Sequence, residues 1–346
     1  MKNNVQQVMW IRVGALGDLL VSLEALKLTC ERFPLAKIWI VGSPLWLDLI
    51  DPAQWPQING VLVCENGKTA QMFELSGTSE WVAVRGERSL ADFAKNVQVT
   101  VNLRIESYRF SWFAWPQVPV RIGSSPWYMK WLYTHWFPWL GKEPEIHERD
   151  WYSLVAGADG SEESVPLPFP LIKSGLPALK RLNEMKLKSL WQLEKSKYIL
   201  INPTSSRREK AWPSAQFREL CLRLKNQGTE VVVVGAPKET SWLQEVAGGD
   251  FRIIQPKTFM DLADLVGGAQ FLVTNTSSLQ FVAASMGTPT VTLMGLASPL
   301  RWGPLGPKDS TVCAEGDFHQ ISDLFELERE AYASIPLERV LAACRF

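Results

Sequence analysis

Two turns of one kind constrain this chain most. Near the start, an apolar run ending at Ile11 gives way to Arg12-Val13-Gly14-Ala15-Leu16-Gly17-Asp18, and a leucine-rich stretch follows. In the second half, the run Phe271–Val273 gives way to Asn275-Thr276-Ser277-Ser278-Leu279-Gln280, again ahead of a helix-like stretch. A strand–turn–helix segment points backbone N–H groups and the positive end of a helix dipole at one spot, and phosphates bind there. Only the first turn carries an acid, Asp18. That asymmetry assigns a nucleotide diphosphate to the second half and the chemistry to the first.

The segments around these turns alternate in the same way. Val8–Val13, Lys37–Val41 and Val61–Val63 read as strands, and Trp81–Arg85, Val97–Leu103 and Val118–Ile122 extend the series. Between the first two strands, Asp18–Arg32 places Leu19, Leu20, Leu23, Leu26 and Leu28 at near-helical spacing and stops before Pro34. A β-α-β unit implies a parallel sheet. A second series follows: Tyr198–Ile201, Glu230–Val234, Arg252–Ile254, Phe271–Val273 and Thr290–Leu293 as strands, with Phe217–Lys225, Thr240–Val246, Met260–Val266 and Leu279–Ser285 as intervening helices. Pro166, Pro168, Pro170 and Pro177 mark a linker over Val165–Pro177. The expected division is an N-terminal Rossmann-like domain over 1–170, a linker over 171–195, a second Rossmann-like domain over 196–330, and a terminal segment over 331–346 that reads as a helix at Leu337–Ala343. The fold class is α/β, with two parallel-sheet domains facing across a cleft and ligands at the strands' carboxyl ends.

Composition excludes several functions. The 346 residues carry 36 basic and 36 acidic side chains, so no overall field attracts nucleic acid. Cys30, Cys64, Cys221, Cys313 and Cys344 include no C-x-x-C pair, which argues against a zinc ribbon, an iron–sulfur centre or a disulfide framework. His135, His147 and His319 are isolated, and no metal is expected. The N-terminus has no signal-peptide pattern and no window resembles a membrane span, so a cytoplasmic protein is expected.

Each motif has a plain alternative. Gly14-Ala15-Leu16-Gly17-Asp18 lets a ligand approach the backbone, and Asp18 would also serve as a simple helix cap. The turn is not G-x-G-x-x-G, and Val41-Gly42-Ser43 lacks the acid that holds a ribose, so a nicotinamide oxidoreductase is disfavoured. Asn202-Pro203-Thr204-Ser205-Ser206-Arg207-Arg208-Glu209-Lys210 joins hydroxyls to basic groups after a strand, which suits a diphosphate or a solvated basic loop. Ser277 fits an ordinary N-cap as well as a pyrophosphate turn. Gly235-Ala236-Pro237-Lys238-Glu239 supplies a carboxylate for ribose hydroxyls or merely a solvated acid. Seven of the 16 tryptophans, Trp112, Trp115, Trp127, Trp131, Trp136, Trp139 and Trp151, crowd one stretch. Trp127, Tyr128, Trp131 and Leu132 fall at helical spacing near Lys130 and Arg121, which suits an anionic lipid surface or aromatic packing.

Taken in order, these pieces resemble glycosyltransferase family 9, which contains the ADP-heptose:lipopolysaccharide heptosyltransferases. The pieces are IRVGALGDLLVSLEALKLTCERFPLAKI, VNLRIESYR, RIG at Arg121–Gly123, NPTSSRREKAWPSAQF, VVVVGAPKE, LVTNTSSLQFVAASMGTPTVTLMG and RWGP. The resemblance runs from about Met9 to Pro304. It implies a GT-B fold and inverting transfer of a heptose from ADP-heptose to the inner core of lipopolysaccharide, at the cytoplasmic face of the inner membrane and without a cofactor. It implies Asp18 as general base, Lys210 on the diphosphate, Thr204, Ser205 and Ser206 beside it, Glu239 on the nucleoside, and Asn275, Thr276, Ser277 and Gln280 around the donor. Gly14, Gly17, Arg104, Arg121, Trp127 and Trp131 fall on the acceptor side. The implied partners are the nucleotide sugar, a lipid A-core acceptor and the membrane surface. Three positions depart from the family pattern: its Asp-Thr-Gly is Asn275-Thr276-Ser277, a frequent histidine is Gln280, and an aspartate is Asn102. Those departures leave open another sugar, a protein acceptor, or a nucleotide-binding homologue that has lost activity and serves envelope assembly.

Overall fold

The computed structural model describes residues 5–64, 68–76, 80–103, 112, 117–138, 146–157, 177, 179, 182–306, 308–316, 318 and 320–344. The chain forms two compact units, 1–174 and 175–346. Arg104, Trp115, Trp139, His319 and all of the proline-rich span except Pro177 lie outside the described residues.

The first unit is built on an eight-stranded sheet: β1 Gln7–Arg12, β2 Lys37–Gly42, β3 Ile58–Val63, β4 Thr69–Leu75, β5 Trp81–Ser89, β6 Val99–Asn102, β7 Val120–Ser125 and β8 His135–Pro138. Their order is β5-β4-β3-β2-β1-β6-β7-β8. Central β1 is apolar from Val8 to Ile11 and fully buried there, as a parallel strand covered on both faces requires. The all-parallel expectation fails at one edge. β3–β4 and β4–β5 are antiparallel, because the links between them are too short for a crossover. β4 was not foreseen, although Ala70 and Met72 alternate inward along it. β5 is a mostly exposed edge carrying Arg85, Glu87 and Arg88, a charge pattern that discourages further strand addition.

The long helix expected over Asp18–Arg32 is two helices, Leu16–Val21 and Leu23–Arg32. Ser22 separates them: its hydroxyl donates to Leu19 O at 2.7 Å and competes with the helical ladder. The Glu148–Gly157 helix, unforeseen in the sequence, packs on Leu23–Arg32.

The second unit has a six-stranded, wholly parallel sheet: β9 Tyr198–Asn202, β10 Glu230–Val234, β11 Arg252–Ile254, β12 Leu272–Asn275, β13 Thr290–Met294 and β14 Ser310–Cys313. The order is β11-β10-β9-β12-β13-β14. Ile199, Ile201, Val233, Val273 and Leu293 form its core with Trp212, Phe217 and Leu243 from the covering segments. Within the span read as a linker, Glu184–Trp191 is a helix packed on Phe259–Gly268, and Lys186 bridges to Asp261 and Asp264 there. Two helices close the chain, Leu324–Ala333 and Leu337–Ala343.

In each sheet the strand order reverses once, between β1 and β6 and between β9 and β12. Such switch points are where open α/β sheets bind ligands, outside the strands' carboxyl ends. Ile11 pairs with Asn102 at the first, and Asn202 with Thr274 at the second. The motif turns therefore leave the sheets at those two places.

Gly123 on β7 tests how tightly the first sheet is packed. A Cβ there would lie 2.1 Å from the Tyr133 ring, whereas one at Gly157 would meet open space. Gly123→Ala is expected to cost about 1–3 kcal/mol in chemical denaturation, with Gly157→Ala near neutral.

Candidate functional site

At the end of β1 a charged side chain enters the interior. Arg12 is 1% exposed, and its Nη2 lies 3.1 Å from Asp18 Oδ1 and donates to Tyr152 Oη at 3.0 Å. Its guanidinium stacks 5.0 Å from the Tyr152 ring and bonds to Val13 O. A buried guanidinium requires a counter-charge, and the first helix provides it. Asp18 is the third residue of that helix, and its Oδ2 accepts from Ala15 N at 3.2 Å. The cap role is therefore real, and the ion pair adds to it. The Asp18 side chain stays 22% exposed, so it reaches solvent while being held from behind. Gly14 has φ +155°, and a Cβ on it would come within 2.9 Å of Asp18 Cβ. Only glycine brings the turn this close to the carboxylate. Gly17 is half-buried in the helix's first turn. Arg12 is the functional candidate the sequence reading missed, although a charge closing an apolar strand was a visible signal.

The acceptor-side candidates divide. Arg121 donates to Leu132 O at 2.9 Å and Val118 O at 2.6 Å, so it ties backbone together rather than standing open. Burial lowers its pKa. Trp127–Leu132 is a 3-10 turn after Pro126, not an α-helix, and it buries Leu132 while Trp127, Tyr128 and Trp131 face outward. Trp131 and exposed Trp112 meet edge to face at 5.3 Å. Trp151, by contrast, is core. Asn102 donates to Tyr133 Oη at 3.2 Å.

In the second unit, a hydrogen-bond network joins the loops beyond β9, β10 and β12. Asn202 Nδ2 donates to Thr204 Oγ1 at 3.1 Å and Val234 O at 2.9 Å, and its Oδ1 accepts from Thr274 at 3.0 Å. Thr204 donates onward to Glu239 Oε2 at 3.0 Å, which also accepts from Ala236 N at 2.8 Å. Both of these bonds fall on Oε2 of Glu239. Ser205 is half-buried and Ser206 exposed.

Asn275 is fully buried and acts as a clamp. Its Oδ1 accepts from Trp212 N at 2.9 Å, and its Nδ2 donates to Pro203 O at 2.9 Å and Thr204 O at 3.3 Å. The amide thus holds both ends of the basic loop. Ser277 is an N-cap, accepting from Leu279 N at 3.3 Å and bonding Thr274 at 2.9 Å. Thr276 donates to Leu293 O at 3.2 Å and accepts from Tyr332 Oη at 3.3 Å. Gln280 is buried and donates to Trp302 O at 2.7 Å, fastening the Arg301-Trp302-Gly303-Pro304 segment to its helix.

Arg207, Arg208 and Lys210 divide between two carboxylates. Arg208 forms two bonds to Glu245, at 2.8 and 2.7 Å, and stacks on Trp242. Hydrogen bonding to Arg208 lowers the Glu245 pKa, and hydrogen bonding to Glu245 raises that of Arg208. Arg207 and Lys210 share Glu328 instead, at 2.7 and 3.3 Å. Among the described residues no three His, Cys, Asp or Glu side chains cluster as a metal ion would need, and no helix is long and apolar enough to cross a membrane.

Residues 161–325 match the family model of glycosyltransferase family 9 (heptosyltransferase). The chain is glycosyltransferase family 9-like. Lipopolysaccharide heptosyltransferase 3 of Escherichia coli is 28% identical over 155 residues, which are 42% of this chain and 45% of that protein. The chain thus spans less than half the length of this curated relative. Two solved structures are similar over nearly the whole chain, each at 20% identity. The glycosyl transferase family 9 from Veillonella parvula DSM 2008 has a TM-score of 0.73, covering 99% of this chain and 97% of that one. The E. coli ADP-heptose lps heptosyltransferase II has a TM-score of 0.71, covering 98% and 97%. These likenesses show the GT-B fold of this family 9-like chain.

The clamp can be tested by placing an acid at position 275. Aspartate cannot donate to Pro203 O and Thr204 O, and it would place a charge in a buried site. Asn275→Asp is expected to lower stability by about 1–3 kcal/mol in urea denaturation.

Proposed function

We propose that this chain is an inverting glycosyltransferase that moves a heptose, or a closely similar sugar, from ADP-heptose to the inner core of lipopolysaccharide. The observation that carries this reading is Asp18, a partly exposed carboxylate fixed by a buried guanidinium at the first sheet's switch point. The heptosyltransferase likeness gives the reading its substrate class.

An acceptor hydroxyl is a weak nucleophile until a base removes its proton as the new bond forms. Asp18 is assigned that proton. The hydroxyl oxygen forms a bond to the anomeric carbon from the face opposite the diphosphate. The bond from that carbon to the phosphate oxygen breaks, and ADP leaves with the electron pair. Charge on the departing diphosphate is met by Lys210 and Arg207, fixed donors that need little reorganisation during the reaction. Glu239 Oε1 is assigned the ribose hydroxyls, and Ser205 and Ser206 the phosphate oxygens. Arg12 positions Asp18 and keeps its second oxygen turned toward the helix start.

The outward-facing Trp127, Tyr128 and Trp131, with Lys130 among them, suit the interface of an anionic lipid surface. The proposed acceptor is itself a lipid, so this face is assigned to the membrane at its cytoplasmic side.

Asp18→Asn is expected to reduce acceptor-dependent ADP release by about 10²–10⁴-fold, with ADP binding retained. The assay is ADP release from ADP-heptose with and without a Kdo-lipid A acceptor, alongside calorimetric ADP binding. Undiminished release in the folded variant excludes Asp18 as base. Replacing Trp127 and Trp131 by Ala is expected to weaken co-sedimentation with anionic liposomes, and unchanged binding removes the membrane assignment.

A further inference from the structure

The cations assigned to the diphosphate already hold an anion of the chain itself. Glu328 stands on the Leu324–Ala333 helix with its side chain 10% exposed. Its Oε1 is 3.3 Å from Lys210 Nζ and its Oε2 is 2.7 Å from Arg207 Nη2. Arg207 also lies 4.8 Å over the ring of Phe325, on the same helix. One turn further on, Tyr332 reaches Thr276. The helix therefore touches both the basic loop and the turn after β12. Glu328 and Tyr332 lie beyond residue 325, where the family match ends.

We propose that Glu328 is a built-in counter-anion of the phosphate site: it holds Lys210 and Arg207 in place and opposes bound phosphate, favouring release of ADP over its retention. This rests on the donor-binding reading above. Arg208 is engaged by Glu245, so Arg207 and Lys210 share the one carboxylate of Glu328 between them.

Ligand charge turns this arrangement into selectivity. In an ADP-sugar both phosphates are esterified and each bears one ionised oxygen. In ADP the terminal phosphate ionises again near neutral pH and adds a negative charge. Repulsion from a fixed carboxylate grows with ligand charge. Glu328 is shielded from water, so salt in bulk solution screens it only partly. It therefore disfavours the product more than the donor. The same carboxylate keeps two mutually repelling cations together before the ligand arrives, so the site needs little ordering on binding.

The test is calorimetric titration of the full chain with ADP and with ADP-glucose, comparing wild type with Glu328→Gln at low and high salt. Glu328→Gln keeps the shape and an acceptor oxygen while removing the charge. It is expected to bind ADP about three- to tenfold more tightly and ADP-glucose by a smaller factor, with both gains shrinking as salt rises. Glu328→Ala, which leaves no amide beside the cations, must give the same ordering, and it serves if Glu328→Gln does not fold. Unchanged or weaker ADP binding in a folded variant, or equal gains for both ligands, overturns the inference while leaving the donor reading intact. Wild type that binds neither ADP nor ADP-glucose overturns the donor reading and this inference with it.

Discussion

In a parallel sheet covered on both faces, the strand ends are where apolar interior meets polar turn, and any charge placed there must find its complement within the fold. Arg12 is such a charge. It closes a strand whose preceding residues, Val8 to Ile11, are fully buried, and it is itself 1% exposed. Its partners fix the surrounding architecture. Asp18 must sit in the first turn of the next helix, Gly14 must let that turn come close, and Tyr152 must arrive on a helix from far along the chain. The second unit solves the same problem with neutral groups. Asn202, Thr204, Thr274 and Asn275 satisfy one another and the neighbouring backbone, leaving charge to the loop outside.

Much of this was legible because it is local. Both switch-point turns, the strand–helix alternation and the strands from Tyr198 to Leu293 follow from runs of apolar residues and their punctuation. The antiparallel edge was harder to see. Thr69–Leu75 buries alternate residues only at Ala70 and Met72 before the pattern fades, and the reading favoured a continuing parallel series. The break at Ser22 was hidden because leucines keep their spacing across it, while a single hydroxyl bond decides the geometry.

The candidate site was legible in its motif positions and not in its partnerships. Asp18, Glu239 and Lys210 are visible as charges at strand ends. That Arg12 faces Asp18, or that Glu328 faces Lys210 across so long a stretch of sequence, depends on packing that no local pattern encodes. The Leu324–Ala333 helix did carry a start signal, Asp323 followed three residues later by Glu326. What that helix reaches could only come from the fold. Arg121 shows the opposite case: a basic residue in a suggestive place whose donors close a backbone turn.

The Asn275 clamp also bears on how such a chain can change over time. One amide satisfies three backbone groups in two separated stretches of the basic loop, so the residue and the loop conformation are matched to each other. An acid at this position would strand two carbonyls and bury a charge. The loop conformation would have to change with it. Position 275 is thereby constrained: the side chain there is a condition for the shape of the loop it supports.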